Sequence, residues 1–288
     1  METLLNAPDG RVVGVNRRML DFMPFTLLTN APQTTVPMTL NGSAGPVSMT
    51  LSGEGPAQVV SFAKEQTGLS KVFLRMQEGR VIRSLMNGYV HIDTLFGGGS
   101  TPYPLPEALY IDELRRLYLE FQNINGTAIS IRPAAGSFRA VSVESDPTLV
   151  LSRKRQDFRQ FLSFPYWYTT DEGAITLTGT DVVEKTITVG GDHHFQLMQM
   201  MRVSDALFDI NLIDMNTGEA LVQAPLGNTY PVASEILFGD ANYPYCLMTP
   251  RLFQSGQKIL LKLRNRVAGT NVVYITLGGR AIADRLWR

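Results

Sequence analysis

Three histidines, one cysteine and a few adjacent carboxylates are the residues from which this chain could build a reactive centre. His91 stands two residues before Asp93, a spacing that places both on one face of a strand, where a His–Asp contact is often purely structural. His193 and His194 are neighbours beside Gly190-Gly191-Asp192. On a strand they point to opposite faces and do not share one metal. Cys246 follows Tyr245 at an apolar strand start, which reads as a buried, inert thiol. A single cysteine excludes an internal disulfide framework and any multi-cysteine metal site. Asp112-Glu113 and Asp171-Glu172 fall in turns, where Asp serves local hydrogen bonding. Gly97-Gly98-Gly99 runs into Pro102-Tyr103-Pro104-Leu105-Pro106 rather than a helix, so it reads as a connector and not a phosphate cradle. Gly-x-Ser-x-Gly and the paired histidines of a zinc helix do not occur. The aromatic run Phe164-Pro165-Tyr166-Trp167-Tyr168 has the chemistry to stack sugars, but core or interface packing is the stronger reading. The expectation is therefore a non-enzyme with no catalytic residue, no cofactor and no metal site.

Whatever these groups do, strands must position them. The chain of 288 residues is 44% hydrophobic and 18% charged, the balance of a globular protein with room for two domains. Basic and acidic residues number 26 each, so no global field draws the chain to nucleic acid or to an anionic membrane, and neither is expected as a partner. The N-terminal residues lack the layout of a signal peptide and no apolar run is long enough to span a bilayer, so synthesis in a cytoplasm is expected.

The strongest internal pattern is written twice. Residues 117–123, LYLEFQN, and 259–265, ILLKLRN, both alternate apolar and polar positions and both run on to a Gly-Thr and a further β-type run. The Asn and Gly-Thr between the runs predict a β-hairpin in each copy. Other segments pair in order: Phe22-Met23-Pro24-Phe25 with Phe161–Pro165, Met38–Gly42 with Ile175–Gly179, and Val47–Gly53 with Lys185–Gly191. Ser70–Gly79 pairs with Phe208–Gly218, and Tyr103–Leu105 with Tyr245–Leu247. Offsets drift from roughly 137 to 142 without a break in order, as a divergent tandem duplication would. Each copy holds short strands separated by turn signals, with long connections at 95–106 and 226–244 that suit crossovers between sheets.

The expected fold is all-β: two tandem jelly-roll-like β-sandwiches related by internal duplication, with an N-terminal arm. The expected bounds are 1–20 for the arm, 21–140 for the first sandwich, 141–160 for a linker with a short helix after Ser152, and 161–288 for the second sandwich. The segments HFQLMQMMRVSDALFDINLIDMNTGEAL and RLFQSGQKILLKLRNRVAGTNVVYITLGGRAI resemble a β-sandwich module of tailed-bacteriophage structural proteins. The resemblance covers most of residues 185–282 and, more weakly, 55–140. It implies a virion component that is not an enzyme: a capsid decoration or minor capsid protein, or a part of the head–tail region. Its partners would be copies of itself and other virion proteins. Residues expected at assembly contacts are Met1, Leu4, Leu5, Val12, Val13 and Arg17 in the arm. Phe96, Tyr103, Tyr230 and Tyr243 are expected from the loops, and Leu286 and Trp287 from the C-terminus. A double jelly-roll major coat protein and a carbohydrate-binding sandwich are the alternatives.

Overall fold

The structure, a computed structural model, describes residues 3–6, 12–15, 34–36, 43–50, 57–78, 80–111, 115–139, 163–170, 173–180, 182–221 and 232–283. The first strands are β1 (Thr3–Asn6), β2 (Val12–Val15), β3 (Thr34–Val36), β4 (Ser43–Thr50), β5 (Ala57–Thr67) and β6 (Ser70–Glu78). They are followed by β7 (Val81–Ser84), β8 (Val90–His91), a 3-10 turn over Ile92–Thr94, β9 (Tyr103–Ile111), β10 (Arg115–Asn123) and β11 (Ile129–Arg139). Next come β12 (Ser163–Tyr168), β13 (Ile175–Thr178), β14 (Val182–Thr188), β15 (His193–Ser204) and β16 (Phe208–Asp214). The last elements are β17 (Val232–Ala233), the single-turn helix α1 (Ser234–Leu237), β18 (Tyr245–Phe253), β19 (Lys258–Asn265) and β20 (Thr270–Ala283).

β1 and β2 form a two-stranded antiparallel ladder of their own. In the first sandwich the sheet β3-β11-β5-β9 packs on β4-β10-β6-β7, with β8 joined to β6. In the second, β12-β20-β15-β18 packs on β14-β19-β16-β17, with β13 joined to β20. Both are the strand order of a jelly roll, in which most connections cross from one sheet to the other. The chain is all-β, as its alternating segments predict.

The two sandwiches also share their irregularities. Val59 pairs with Leu109 and Ser61 with Pro104, so β5 bulges at Val60 opposite an excursion of β9 over 105–108. Leu197 pairs with Arg251 and Gln199 with Cys246, so β15 bulges at Met198 opposite an excursion of β18 over 247–250. A parallel bridge joins Ala63 to Gly97 in one sandwich and Met201 to Gly239 in the other. A bulge re-aims the strand that carries it, so both sandwiches bend the same pair of strands at the same place.

The two similar segments, 117–123 and 259–265 with the runs that follow them, do not form hairpins. β10 lies between β4 and β6, whereas β11 pairs with β3 and β5 in the opposite sheet. β19 and β20 are divided in the same way. The connector is an arch, and a buried asparagine shapes it. Asn123 Nδ2 donates to the Thr127 carbonyl at 2.8 Å, and Asn265 Nδ2 donates to that of Gly269 at 2.8 Å. Pro133 lies inside β11 opposite Lys64, beyond the short stretch that pairs with β3. Among the described residues the strand has one neighbour at that level, the setting in which a proline is tolerated. Pro104 and Pro106, read from the sequence as loop, stand in β9 at the edge of its sheet for the same reason.

Each core follows from the alternation. Leu117, Leu119 and Phe121 of β10 meet Phe62, Val72, Leu74 and Ile131 in the first. Ile259, Leu261 and Leu263 of β19 meet Phe195, Leu197, Ile210 and Ile275 in the second. Each such side chain, fully buried, contributes about 1.5–3 kcal/mol from apolar surface removed from water. Trp167, Met201 and Ala241, all from the second sandwich, belong to the core of the first.

The proposed linker at 141–160 and its helix lie outside the described residues.

Candidate functional site at the seam between the sandwiches

A set of aromatic and polar side chains gathers where the two sandwiches meet and holds the joint. Trp167 on β12 inserts beside β9, and its backbone bridges the segment after β7: Trp167 N donates to the Leu85 carbonyl at 3.0 Å. Its indole Nε1 donates to Tyr103 Oη at 2.9 Å, and Tyr103 Oη donates to Gln199 Oε1 at 2.6 Å. Gln199 Nε2 completes the set by donating to the Pro104 carbonyl at 3.1 Å. Burial lifts the Tyr103 phenol far above its ordinary pKa, so it stays a neutral donor. Thr94 Oγ1 and Thr276 Oγ1 share a buried hydrogen bond of 2.7 Å, and Thr94 Oγ1 also donates to the His91 carbonyl. Asn87 and Thr169 close the far side through their side chain and backbone respectively. A polar network that is satisfied in this way fixes one geometry, because losing any member strands the others in a dry environment.

Beside the seam opens a cleft of about 720 Å³. Two corresponding ion pairs line it. Lys64 of β5 donates to Asp93 in the 3-10 turn, and Arg202 of β15 meets Glu235 of α1 at 3.1 Å. Phe96 and Phe238, Gly98 and Asp240 complete the correspondence, and Tyr243 stands at the rim. Burial lowers the Lys64 pKa, and the Asp93 carboxylate beside it works in the opposite direction. Each base facing the cleft has an acid of its own sandwich as counter-ion, so the cleft carries no unopposed charge with which to hold an anion.

His91 and His193 are internal. His91 is buried, its Nδ1 accepts from Asp93 N at 3.2 Å, and its Nε2 has no hydrogen-bond partner. Burial holds its pKa down to about 4, against a smaller upward pull from Asp93, so the ring is neutral. His193 bonds Tyr168 Oη and Asp192 Oδ1, each at 2.7 Å, and burial lowers its pKa as well. His194, on the other face of β15, accepts from Ser255 N at 3.0 Å. Among the described residues no three His, Cys, Asp or Glu side chains converge to hold a metal ion. None of the described helices is long and apolar enough to cross a membrane.

The residues expected at assembly contacts divide. Phe96 is stacked on Phe62 with ring centres 4.9 Å apart, and both it and Tyr103 are fully buried. They join the chain to itself and are not free to meet a neighbour; a loop next to a Gly-rich run gave no sign of that burial. Tyr243 is 73% exposed. Leu4, Leu5, Val12 and Val13 lie on the β1–β2 ladder. Met1, Arg17, Tyr230, Leu286 and Trp287 lie outside the described residues. Tyr166, Trp167 and Tyr168 are buried, so they pack and offer no sugar platform. Cys246, expected to be buried, is exposed on β18. Its strand lies at a sheet edge and turns few side chains inward. Sequence reasoning missed Asn87, Gln199 and Thr276: isolated polar residues carry no periodicity, and their partners lie far along the chain.

No protein-family model matches the chain, and no curated protein matches it. Solved structures do. A chain from the atomic structure of Sulfolobus Turreted Icosahedral Virus has a TM-score of 0.25 at 10% identity, over 87% of this chain and 60% of that one. The PBSX exported protein XepA has a TM-score of 0.22 at 9% identity, over 96% and 98%. PNGase F, a glycosylasparaginase from Flavobacterium meningosepticum, has a TM-score of 0.31 at 8% identity, over 88% and 97%. The chain thus spans about 60% of the length of the viral chain it matches. At these scores the superpositions add nothing to the strand order, which itself carries the fold.

Proposed function

We propose that this chain is a non-enzymatic structural component of a bacteriophage particle. It is capsid-associated, as a decoration or minor capsid protein or a part of the head–tail junction. Its two sandwiches, descended from one duplicated module, act as a rigid block that binds copies of itself and other virion proteins. The observation that supports this reading is the seam. The aromatic and polar groups best suited to hold a ligand, Trp167, Tyr103 and Gln199, are consumed in joining one sandwich to the other. The cleft that remains is lined by bases already matched with acids. What stays on the outside is an edge strand with exposed apolar side chains, the equipment of a protein that is held by others. The protein is made in the host cytoplasm and resides in the virion.

The test is the protein content and reconstruction of particles purified from a host that carries the gene. The chain is expected in stoichiometric copies at a defined position; its absence from intact particles overturns the reading. The repeated jelly-roll order also favours a second reading, a double jelly-roll coat protein, in which the chain would dominate the particle's protein.

A further inference from the structure

The central strands of the two sandwiches correspond, β5 with β15, β6 with β16, β9 with β18, β10 with β19 and β11 with β20, yet the equivalent edges β9 and β18 are treated differently. In the first, the edge strand β9 is covered. Tyr103 is 0% exposed under Trp167 and Gln199, Leu105 packs into the core with Phe164, and Glu107 accepts from Ser163 Oγ at 2.7 Å. The cover is the second sandwich, through β12 and the outer face of its β15–β20 sheet. In the second sandwich the equivalent strand is β18, with Tyr245, Leu247 and Thr249 where β9 has Tyr103, Leu105 and Glu107. Here the edge is open: Tyr245 is 39% exposed and Met248, on the excursion, 103%. Tyr243 beside it and Leu252 further along are exposed too, at 73% and 45%.

The covering face has an open counterpart too. Gln199, Met201, Thr276 and Gly278 of the second sandwich face the first, and the registers of β5, β15, β11 and β20 place Ser61, Ala63, Ala134 and Gly136 at the corresponding positions. These small residues are partly exposed on the outer face of the first sandwich. The molecule therefore carries one completed joint and, besides it, an open edge and an open face at the positions equivalent to the covered edge β9 and to the β15–β20 part of its cover.

We propose that the open β18 edge of one copy docks on the outer β5–β11 face of a second copy, repeating between molecules the joint that the chain makes within itself. The contact is head-to-tail. A pair of copies still has one free edge and one free face, so association passes beyond a dimer to a ring or a filament. Tyr245 takes the place of Tyr103, with Ser61 of the next copy opposite, and Met248 loses its water.

The inference rests on the assembly role and can fail separately from it. The full-length chain is examined by native mass spectrometry and sedimentation over a range of concentrations, beside Met248→Asp on the edge and Ser61→Arg on the face. The wild type is expected to form species larger than a dimer, and each variant to be monomeric with an unchanged circular dichroism spectrum. Mixed one to one, the two variants should form a dimer and stop, because each keeps one working half. If Ser61→Arg fails to fold, Ala134→Arg replaces it, and Tyr243→Asp stands in for the edge. A monomeric wild type, variants that associate like the wild type, or a mixture that stays monomeric each overturns the docking. A monomeric chain found in purified particles would sink the docking and leave the assembly role. Self-association with no trace of the chain in particles would do the reverse.

Discussion

Asn87 and Thr169 hold each other as two strand residues would, although only one of them uses its backbone. Asn87 Nδ2 donates to the Thr169 carbonyl and Thr169 N donates to Asn87 Oδ1, both at 2.8 Å. A side-chain amide has replaced a peptide group, and the first sandwich gains a ladder rung with the second.

Replacing Asn87 with Ala strands the backbone groups of Thr169, which is buried. The expected loss is about 1–3 kcal/mol in urea unfolding. Asn87→Asp keeps the acceptor for Thr169 N and loses the donor, so it should fall between Ala and the wild type. Equal losses for Asp and Ala would show that the pair does not act as a rung.

Tyr103→Phe removes one oxygen and leaves both Trp167 Nε1 and Gln199 Oε1 without the partner seen here. A loss of about 1–3 kcal/mol is expected. Tyr245→Phe in the isolated chain changes an exposed site and should stay within about 0.5 kcal/mol. The paired measurement separates the closed joint from the open edge.

Acid should loosen the protein before its carboxylates protonate. His91 is held neutral, with its pKa at about 4 against an ordinary 6.5, and the His193 pKa is lowered as well. Both must take a proton on unfolding that the folded state resists. Stability is therefore full above the unfolded value near 6.5 and declines as pH falls from there toward 4. A His91→Gln variant should show a flatter profile across that window in thermal unfolding followed by circular dichroism. A wild-type profile without slope between pH 6.5 and 4 would contradict the burial described here.

The three consecutive glycines are not equivalent. A methyl group on Gly97 would overlap the Thr101 carbonyl oxygen, and one on Gly239 would overlap that of Tyr243. Neither backbone can give way without breaking the bridges to Ala63 and Met201. Gly97→Ala and Gly239→Ala should each cost at least about 1–3 kcal/mol through overpacking. Gly99→Ala, with nothing within 4 Å, should be close to neutral.

Period-two alternation made the strands and both cores legible: Leu117, Leu119 and Phe121 are buried, as are Ile259, Leu261 and Leu263. The same pattern says which face of a strand is dry but not which sheet receives it, and so the Asn-Gly-Thr arches read as hairpins. Turn chemistry is shared by both. Tyr103 and Phe96 misled for a different reason. An aromatic residue near glycines and prolines is exposed only if nothing else covers it, and here the cover, Trp167 and Met201, comes from the other half of the chain. Cys246 went wrong in the opposite sense, because a strand at an uncovered edge has little interior to offer.

That misplacement has a practical use. The one thiol in the chain lies on β18, so a maleimide dye or spin label attaches at a single position without any substitution. Its emission or mobility would register whatever comes to rest on that strand, in solution or in a finished particle.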